Sequence, residues 1–370
     1  MNDTNGTLVL QQLCSPVIVE NSIYVKAVKM FAYCLVLLMS SFGNILLVLI
    51  VFRHRKTGMF TTTNCFIVNM AISDLIIPLF AVPNKLFNLE LDSNFRWFLG
   101  GNEGLMLCKC LNFLLDVSTA VSIQSLVAIA MDRFYGVLYP LRAVRHRNSK
   151  ACALVIPIIW FNAIAFHAVY FYTFRLIEFQ GKNYCLINWQ PYFDSKAAQK
   201  PFYLVQFTFL YVCPLILIAF LYGCIVTKLR SSTTSSAKCR KRRASEQYRN
   251  RKVTKMCLVA VLVFAFCWAP IHVYGFFFHF VWDWIVPCGM QEIDFVVFFV
   301  AYSYAAINPC IFFTFNENFR RGLVKVLCCR SVKRRMRRPS WSSWRSRSTS
   351  GIGIRIIEAN CSSGSREDKV

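Results

Sequence analysis

Asp132 and Arg133 stand at the end of an apolar run, Leu111–Met131, that otherwise carries a single charge, Asp116. An Asp–Arg pair in such a place is poorly suited to covalent or acid–base chemistry. The guanidinium is permanently charged and, at the membrane edge, can snorkel to water. Asp74 is a further isolated acid, within Asn64–Asn84, and no Lys or Arg stands in any comparable run to pair with it. A charge at mid-depth in a bilayer costs roughly 2.5–3.5 kcal/mol and usually marks function. His272 and His279 lie two turns apart with no Cys-His or His-Glu motif beside them, and read as pocket lining rather than a metal centre. Asp74 and Asp116 are too few for the relay of ionisable groups that a channel or pump needs.

The elements that hold these residues follow from the apolar blocks. Met30–Phe52, Ala151–Phe174, Pro201–Thr227, Met256–Trp282 and Phe295–Asn316 contain no Asp, Glu, Lys or Arg. With the runs that hold Asp74 and Asp116 they make seven, each long enough for the roughly 18–20 residues of a membrane-crossing helix. With 16% charged residues against 56% hydrophobic, the chain is too poor in charge for a soluble helix bundle. The expected fold is an all-α membrane protein, a seven-transmembrane helix bundle followed by a short amphipathic helix on the membrane surface. The expected divisions are 1–26 outside; 27–316 the bundle, with spans at about 27–52, 64–87, 105–138, 151–174, 201–229, 252–282 and 292–316; 317–329 the surface helix; and 330–370 a cytoplasmic tail.

Charge sets the orientation. Arg53, Arg55 and Lys56 follow the first span, and Arg142, Arg145, Arg147 and Lys150 follow the third. The fifth-to-sixth connection is strongly basic, with Glu246 as its only acid. By the positive-inside rule these loops are cytoplasmic, which puts the N-terminus outside and the C-terminus inside. Glu90, Asp92, Glu103, Glu178, Asp194, Asp283, Glu292 and Asp294 then fall on the outer side. The net charge of +24 is mostly an inner-face feature, suited to anionic lipids and an acidic intracellular partner rather than to nucleic acid. Sequons at Asn2 and Asn5 agree as glycosylation sites on an outer N-terminus, and the first span serves as its own insertion signal.

Seven spans with Asp-Arg at the inner end of the third resemble a rhodopsin-like (class A) G-protein-coupled receptor, and each span adds a motif. These are Gly43-Asn44 in the first, Asn69 to Leu75 in the second, Cys108 and Asp132-Arg133-Phe134 in the third, and Trp160 in the fourth. Pro214 and Tyr222 follow in the fifth, Phe264 to Pro270 with Cys267-Trp268 in the sixth, and Asn308-Pro309-Cys310-Ile311-Phe312 in the seventh. The resemblance covers roughly 27–329. It implies that Asp132 holds Arg133 at rest in a clasp that is released on activation, and that Asp132, Arg133 and Tyr222 serve G-protein coupling. It implies that Ile123, Pro214, Phe264 and Trp268 form the core that repacks on activation, with Pro270 and Pro309 as kinks. It further implies that Asn44, Asp74, Ser122 and Asn308 form a polar network able to hold an allosteric sodium ion, since an oxygen-only set suits a hard cation. Tyr304 stands where relatives carry a smaller amide.

Two departures bear on signalling. Phe312 replaces the usual Tyr, so Tyr222 is expected to lack a hydroxyl partner. The stretch Tyr248 to Lys252 has no acid to complete the clasp on Arg133, so raised basal activity is expected, with Asn250→Glu as its test.

Seventeen cysteines would fit a disulfide framework, but most fall in spans or on the inner face, where thiols stay reduced. Cys14, Cys108, Cys110, Cys185 and Cys288 adjoin the outside. The resemblance implies a Cys108–Cys185 bond, with Cys110 as the competing thiol, and Cys14–Cys288 as a staple found in some peptide receptors. Trp97 resembles the family's first-outer-loop Trp. Cys328 and Cys329, ending the amphipathic stretch, are candidate palmitoylation sites at the membrane lipids. Ser245 and the Ser/Thr group Ser340–Ser350 are candidate targets of receptor kinases whose phosphates recruit arrestin.

For the ligand, the seventh span has no Lys to hold retinal. The place where an amine receptor carries its third-span acid is Leu115, with Asp116 next to it and expected on a different face. The outer acids, Glu292 and Asp294 among them, are expected to attract a basic peptide, chiefly by raising its on-rate. Leu115, Asp116, Trp268, His272, Tyr274, Glu292 and Asp294 are the pocket candidates, with Phe276, Phe277 and Phe278 available to an aromatic or amidated end. The expected protein is therefore a plasma-membrane receptor of neuropeptide type. A biogenic amine or other small ligand is the alternative, and a channel or transporter a distant one.

Overall fold

A computed structural model describes residues 23–54, 61–90, 96–139, 150–231, 237–287 and 290–327. Among these, seven helices are long and apolar enough to cross a membrane. α1 is Ile23–Arg53, and α2 runs from Thr62–Asp74 through a π turn at Ile77–Ala81 into Val82–Glu90. α3 is Gly101–Leu138, and α4 is Lys150–His167 with a further turn at Tyr170–Thr173. α5 is built from Ser195–Phe207, a π turn Thr208–Val212, and Cys213–Ser231. α6 is Ala237–Phe276 with a π turn Phe277–Val281, α7 is Gln291–Phe315, and the short α8 is Glu317–Leu327. α1, α5 and α6 start well before the spans expected at 27, 201 and 252. Asp194 explains the early start of α5: its side chain accepts from the Ala197 N–H at 2.8 Å and caps a polar first turn.

α3 is the central helix and packs on α2, α4, α5 and α6, while α7 closes the bundle between α1 and α6. The buried core runs through the bundle from Tyr33 and Val82 to Tyr222 and Phe312. Where α1 meets α7, a Cβ on Gly43 would stand 2.7 Å from both Cβ and Cγ of Pro309. The helices approach this closely because one position has no side chain and the other has a rigid ring. Gly43→Ala is therefore expected to cost about 1–3 kcal/mol of stability, as overpacked cores do. A melting temperature equal to wild type for the purified protein would refute this.

The π turns accompany prolines. Pro78 sits in the first turn of the one in α2, Pro214 follows the one in α5, and Pro270 precedes the one in α6. A ring that lacks an N–H breaks the ladder, and wider turns take up the mismatch.

The expectation of helices throughout leaves out a small outer sheet. β1 (Arg96–Trp97), β2 (Phe174–Phe179) and β3 (Lys182–Ile187) pair antiparallel in the order β1-β3-β2. Gln180 and Gly181 form the hairpin turn, with φ of 51° and 68°. Two left-handed residues in succession match the twist of a tight hairpin. Cys185 on β3 is bonded to Cys108 on α3, which fixes the sheet over the bundle. Cys110 is a free thiol. Trp97 is buried beside Cys108, Leu111, Tyr170 and Phe174, and its indole N–H donates to the Gly104 carbonyl at 3.0 Å.

α8 is amphipathic. Phe319 is fully buried and meets Phe313 edge-on, and Gly322 lies against Ile50 of α1.

Candidate functional site

Three sets of residues occupy successive depths along the bundle. The outermost is a cavity of about 120 Å³ walled by Ile77, Asn112, Leu115, Asp116, Tyr170, Phe174, Trp268, Ile271, Phe298 and Tyr302. Leu115 and Asp116 both line it, so the expectation that Asp116 faces elsewhere is corrected. One residue's turn on a helix is small enough for neighbours to share a wide wall. Asp116 Oδ2 accepts from the Tyr170 hydroxyl and from Gln206 Nε2 at 3.1 Å. Trp268 is the aromatic floor.

The other pocket candidates lie outside this cavity. His272 stands in the α5–α6 seam, its ring 4.4 Å from that of Tyr211, and its carbonyl accepts from Tyr203. Tyr274 lines a separate apolar groove with Pro270, Phe277 and Trp282. Glu292 is paired with Lys29 at 2.6 Å, and Asp294 with Lys85 at 3.1 Å. The Lys85 ammonium also lies 3.5 Å from the centre of the Phe298 ring. Asp283 is paired with Lys196 at 2.6 Å; chiefly through that hydrogen bond, its carboxyl is held below the usual carboxylate range. Asp283, Glu292 and Asp294 are thus each paired with a lysine of the same chain. Gln206 and Tyr170 are the site residues that sequence reasoning missed. Nothing in their local pattern marks them; only the fold brings them to Asp116.

At mid-depth, Ser122 donates to Asp74 Oδ1 at 2.7 Å and Asn308 Nδ2 to Asp74 Oδ2 at 2.8 Å. Ser118 donates to the Ser73 carbonyl, and Asn44 Nδ2 to the Ala305 carbonyl at 3.0 Å. Asn69 joins α3 to α4, donating to Ser125 and accepting from the Trp160 indole. Five helices are so tied through buried polar groups, while the amide oxygens of Asn44 and Asn308 are buried without a hydrogen bond. Ile123, Phe264 and Trp268 belong to the apolar core just outside this layer, and Phe264 meets Tyr304 edge-on at 5.2 Å. Pro214 is half-buried directly after the π turn of α5. Tyr304 donates to the Met70 sulfur at 3.4 Å.

At the inner end, Arg133 donates twice to Asp132 Oδ2, which also accepts from Thr63 at 2.8 Å. Arg133 therefore rests on its neighbour, half-buried, with no second acid on it among the described residues. Tyr222 is buried beside Cys257, and Phe312 is buried with no hydroxyl to offer it. α6 is tied elsewhere: Lys252 Nζ meets Glu317 Oε1 of α8 at 2.9 Å, and Arg321 meets the other oxygen at 3.3 Å. The hydrogen bond from Lys252, with the charges of Lys252 and Arg321, holds the Glu317 carboxyl below its ordinary range. The candidate sites at Asn2, Asn5, Cys14, Cys288, Cys328, Cys329 and Ser340–Ser350 lie outside the described residues, as does the side chain of Ser245.

Seven spans around a polar core, with an Asp–Arg clasp at one end and an aromatic cavity at the other, can be compared with known sequences. Residues 43–312 match the family "7 transmembrane receptor (rhodopsin family)". The chain belongs to this family. It is a multi-pass membrane receptor that acts through G proteins, and not an enzyme. Among its relatives, galanin receptor 2b of Danio rerio is 26% identical over 306 residues, covering 80% of this chain and 74% of that protein. The substance-P receptor of Meriones unguiculatus is 28% identical, covering 80% and 70%. Galanin receptor type 1 of Rattus norvegicus is 29% identical over 304 residues, covering 82% and 83%. The receptor's match begins at Gly43 on α1 and ends at Phe312 on α7.

Proposed function

We propose that the receptor sits in the plasma membrane with its N-terminus outside, takes a neuropeptide at the outer cavity, and activates heterotrimeric G proteins through Arg133. The observation that carries the ligand class is the set of relatives, receptors for galanin and for substance P, both neuropeptides. The amine alternative has one observation in its favour, Asp116 on the cavity wall. A cell assay reading calcium, cyclic AMP and arrestin recruitment against short amidated peptides and biogenic amines separates the two. A response to amines with none to any peptide would overturn the peptide reading.

In this reading the polar core sets the balance between two packings of the bundle. Asp74, Ser122, Asn308 and Asn44 would hold an allosteric sodium ion. Supporting it are the oxygen-only donor set, the two amide oxygens left without partners, and a buried Asp74 to which no ion pair reaches among the described residues. Receptor kinases and arrestin act on the basic, Ser-rich segments, and acylation of Cys328 and Cys329 anchors α8 to membrane lipids.

Basal activity is set at the Lys252–Glu317 contact. It holds the inner end of α6 to α8, where the missing acid would have held α6 to Arg133. The Glu317 carboxyl is depressed, so the contact is fully present above the ordinary carboxylate range, and is lost only as pH falls through the depressed value. At neutral pH it is intact. Glu317→Gln is expected to raise basal signalling about twofold, the modest effect of a partly exposed ion pair. Unchanged or lower basal signalling at matched surface level would remove this role.

A further inference from the structure

The acids at the outer ends of α6 and α7 already carry lysines of this chain. Glu292 is held by Lys29, Asp294 by Lys85, and Asp283 by Lys196. Asp116 differs from all three. It lies deeper, on the wall of the cavity, and among the described residues no Lys, Arg or His forms an ion pair with it. Its two partners, Tyr170 and Gln206, are neutral donors, and both use the same oxygen, Oδ2. Oδ1 accepts no hydrogen bond from the described residues, and Asp116, half-buried, lines the cavity. Around it stand the rings of Tyr170, Phe174, Trp268, Phe298 and Tyr302.

A carboxylate within the membrane span is stable when a cation completes it, and aromatic faces favour the same cation from the sides. The receptor already uses this pairing twice, at Lys85 with Asp294 and the face of Phe298, and at Lys29 with Glu292 and the face of Phe295. At Asp116 the acid and the rings are present, and no described residue supplies the cation.

We propose that Asp116 is the anionic anchor of the ligand site, and that the ligand brings an amine or guanidinium that bonds Oδ1 and rests against the aromatic wall. This rests on the reading of the cavity as the ligand site. It places recognition of positive charge deep in the bundle rather than at the outer acids. The cation belongs to a basic side chain of a peptide or to a small amine-type ligand; the chemistry at Asp116 is the same.

The test is binding to the purified full-length receptor, followed by thermal shift, with two matched probe pairs. Phenethylguanidine is set against its uncharged isostere phenethylurea, and an acetylated Leu-Arg-Leu amide against the same peptide with citrulline. At least one charged probe is expected to bind about tenfold or more tightly than its neutral partner, the scale of one charge-assisted hydrogen bond. Preference in the small pair alone assigns the cation to a small ligand, and preference in the peptide pair to a peptide side chain. Asp116→Asn, which still offers Tyr170 an acceptor, should bring the ratio to about one, since the charge it reads is gone. Tyr170→Phe should leave the ratio in place; this separates an anchor from a residue that only positions Tyr170. No charge preference in either pair on the wild type, including no binding at all, overturns the proposal, and so does a preference that survives Asp116→Asn. Arg133-dependent nucleotide exchange on a purified G protein is measured on the same preparations. Its failure beside an intact charge preference would count against coupling and leave the anchor standing.

Discussion

Arg133→Ala is expected to reduce agonist-driven G-protein activation by more than about tenfold at matched surface expression, because each charge-assisted hydrogen bond lost at that end is worth about 1.5–3 kcal/mol. The structure shows the guanidinium at rest: both of its contacts go to Asp132, which is also held by Thr63. Nothing else binds it among the described residues, so the step that frees it breaks one neighbouring clasp rather than a cross-bundle bridge. Removing Arg133 takes away the group that leaves, while Asp132 keeps Thr63 as a donor and the fold is preserved. Asp132→Asn acts in the opposite sense, since it weakens the clasp without removing the guanidinium, and basal activation should rise. Two neighbouring substitutions with opposite signs cannot both follow from damaged folding. Nucleotide exchange measured for the pair decides it; equal activity of Arg133→Ala and wild type would discard the clasp as the coupling element.

The bundle was readable because the membrane makes each span declare itself. A run without charges and about twenty residues long has no other stable solution in lipid than a helix. Span ends were less readable, for polar first turns carry no hydropathy signal. Asp194 caps α5 seven residues before the apolar run at Pro201, and only the hydrogen bond to Ala197 shows that the helix has begun. The outer hairpin was missed for a related reason. Phe174–Phe179 lies at the end of one apolar block, and its strand character is set by the Gln180-Gly181 turn and by β1, a partner far away in sequence.

The candidate site divides in the same way. Asp74 with Ser122 and Asn308, and Asp132 with Arg133, are brought together as the motifs implied. The pairing of the outer acids was not foreseen because only one sign of charge was weighed there. Lys29, Lys85 and Lys196 stand at the outer helix ends too, and long side chains reach an acid on the next helix that no spacing in sequence reveals. Asp116 was set apart from Leu115 by its angle on α3, yet the cavity is wide enough to take both. His272 and Tyr274 share an apolar helix with Trp268, and which of them meets the cavity depends on the Pro270 kink and the π turn after it.

Loss of the Cys108–Cys185 bond is expected to be the most damaging single change to stability. The bond closes a loop with a sequence separation of 77 residues. For a free chain of that length the entropy of closure is about 4–5 kcal/mol. Here the loop contains α4, whose ends are confined by the bilayer in any state, so part of that entropy is already lost and about 2–4 kcal/mol is the expected cost. The structural consequence is local and specific. Cys185 is on β3, which pairs with β2 on one side and β1 on the other, and Trp97 of β1 is packed against Cys108 itself. Without the bond the sheet keeps its ladder but loses its tie to α3, and Asn112, which donates to both the Cys185 sulfur and the Cys108 carbonyl, loses one acceptor. Asn112 and Phe174 line the cavity proposed for the ligand, so ligand affinity should fall together with the melting temperature. Cys108→Ser, Cys185→Ser and the double variant should be equally impaired, since each leaves the same open loop. A free Cys110 that rescued Cys108→Ser, seen as a melting temperature well above that of the double variant, would show the neighbouring thiol able to take over the bond and would contradict the geometry, in which Cys108 alone meets β3.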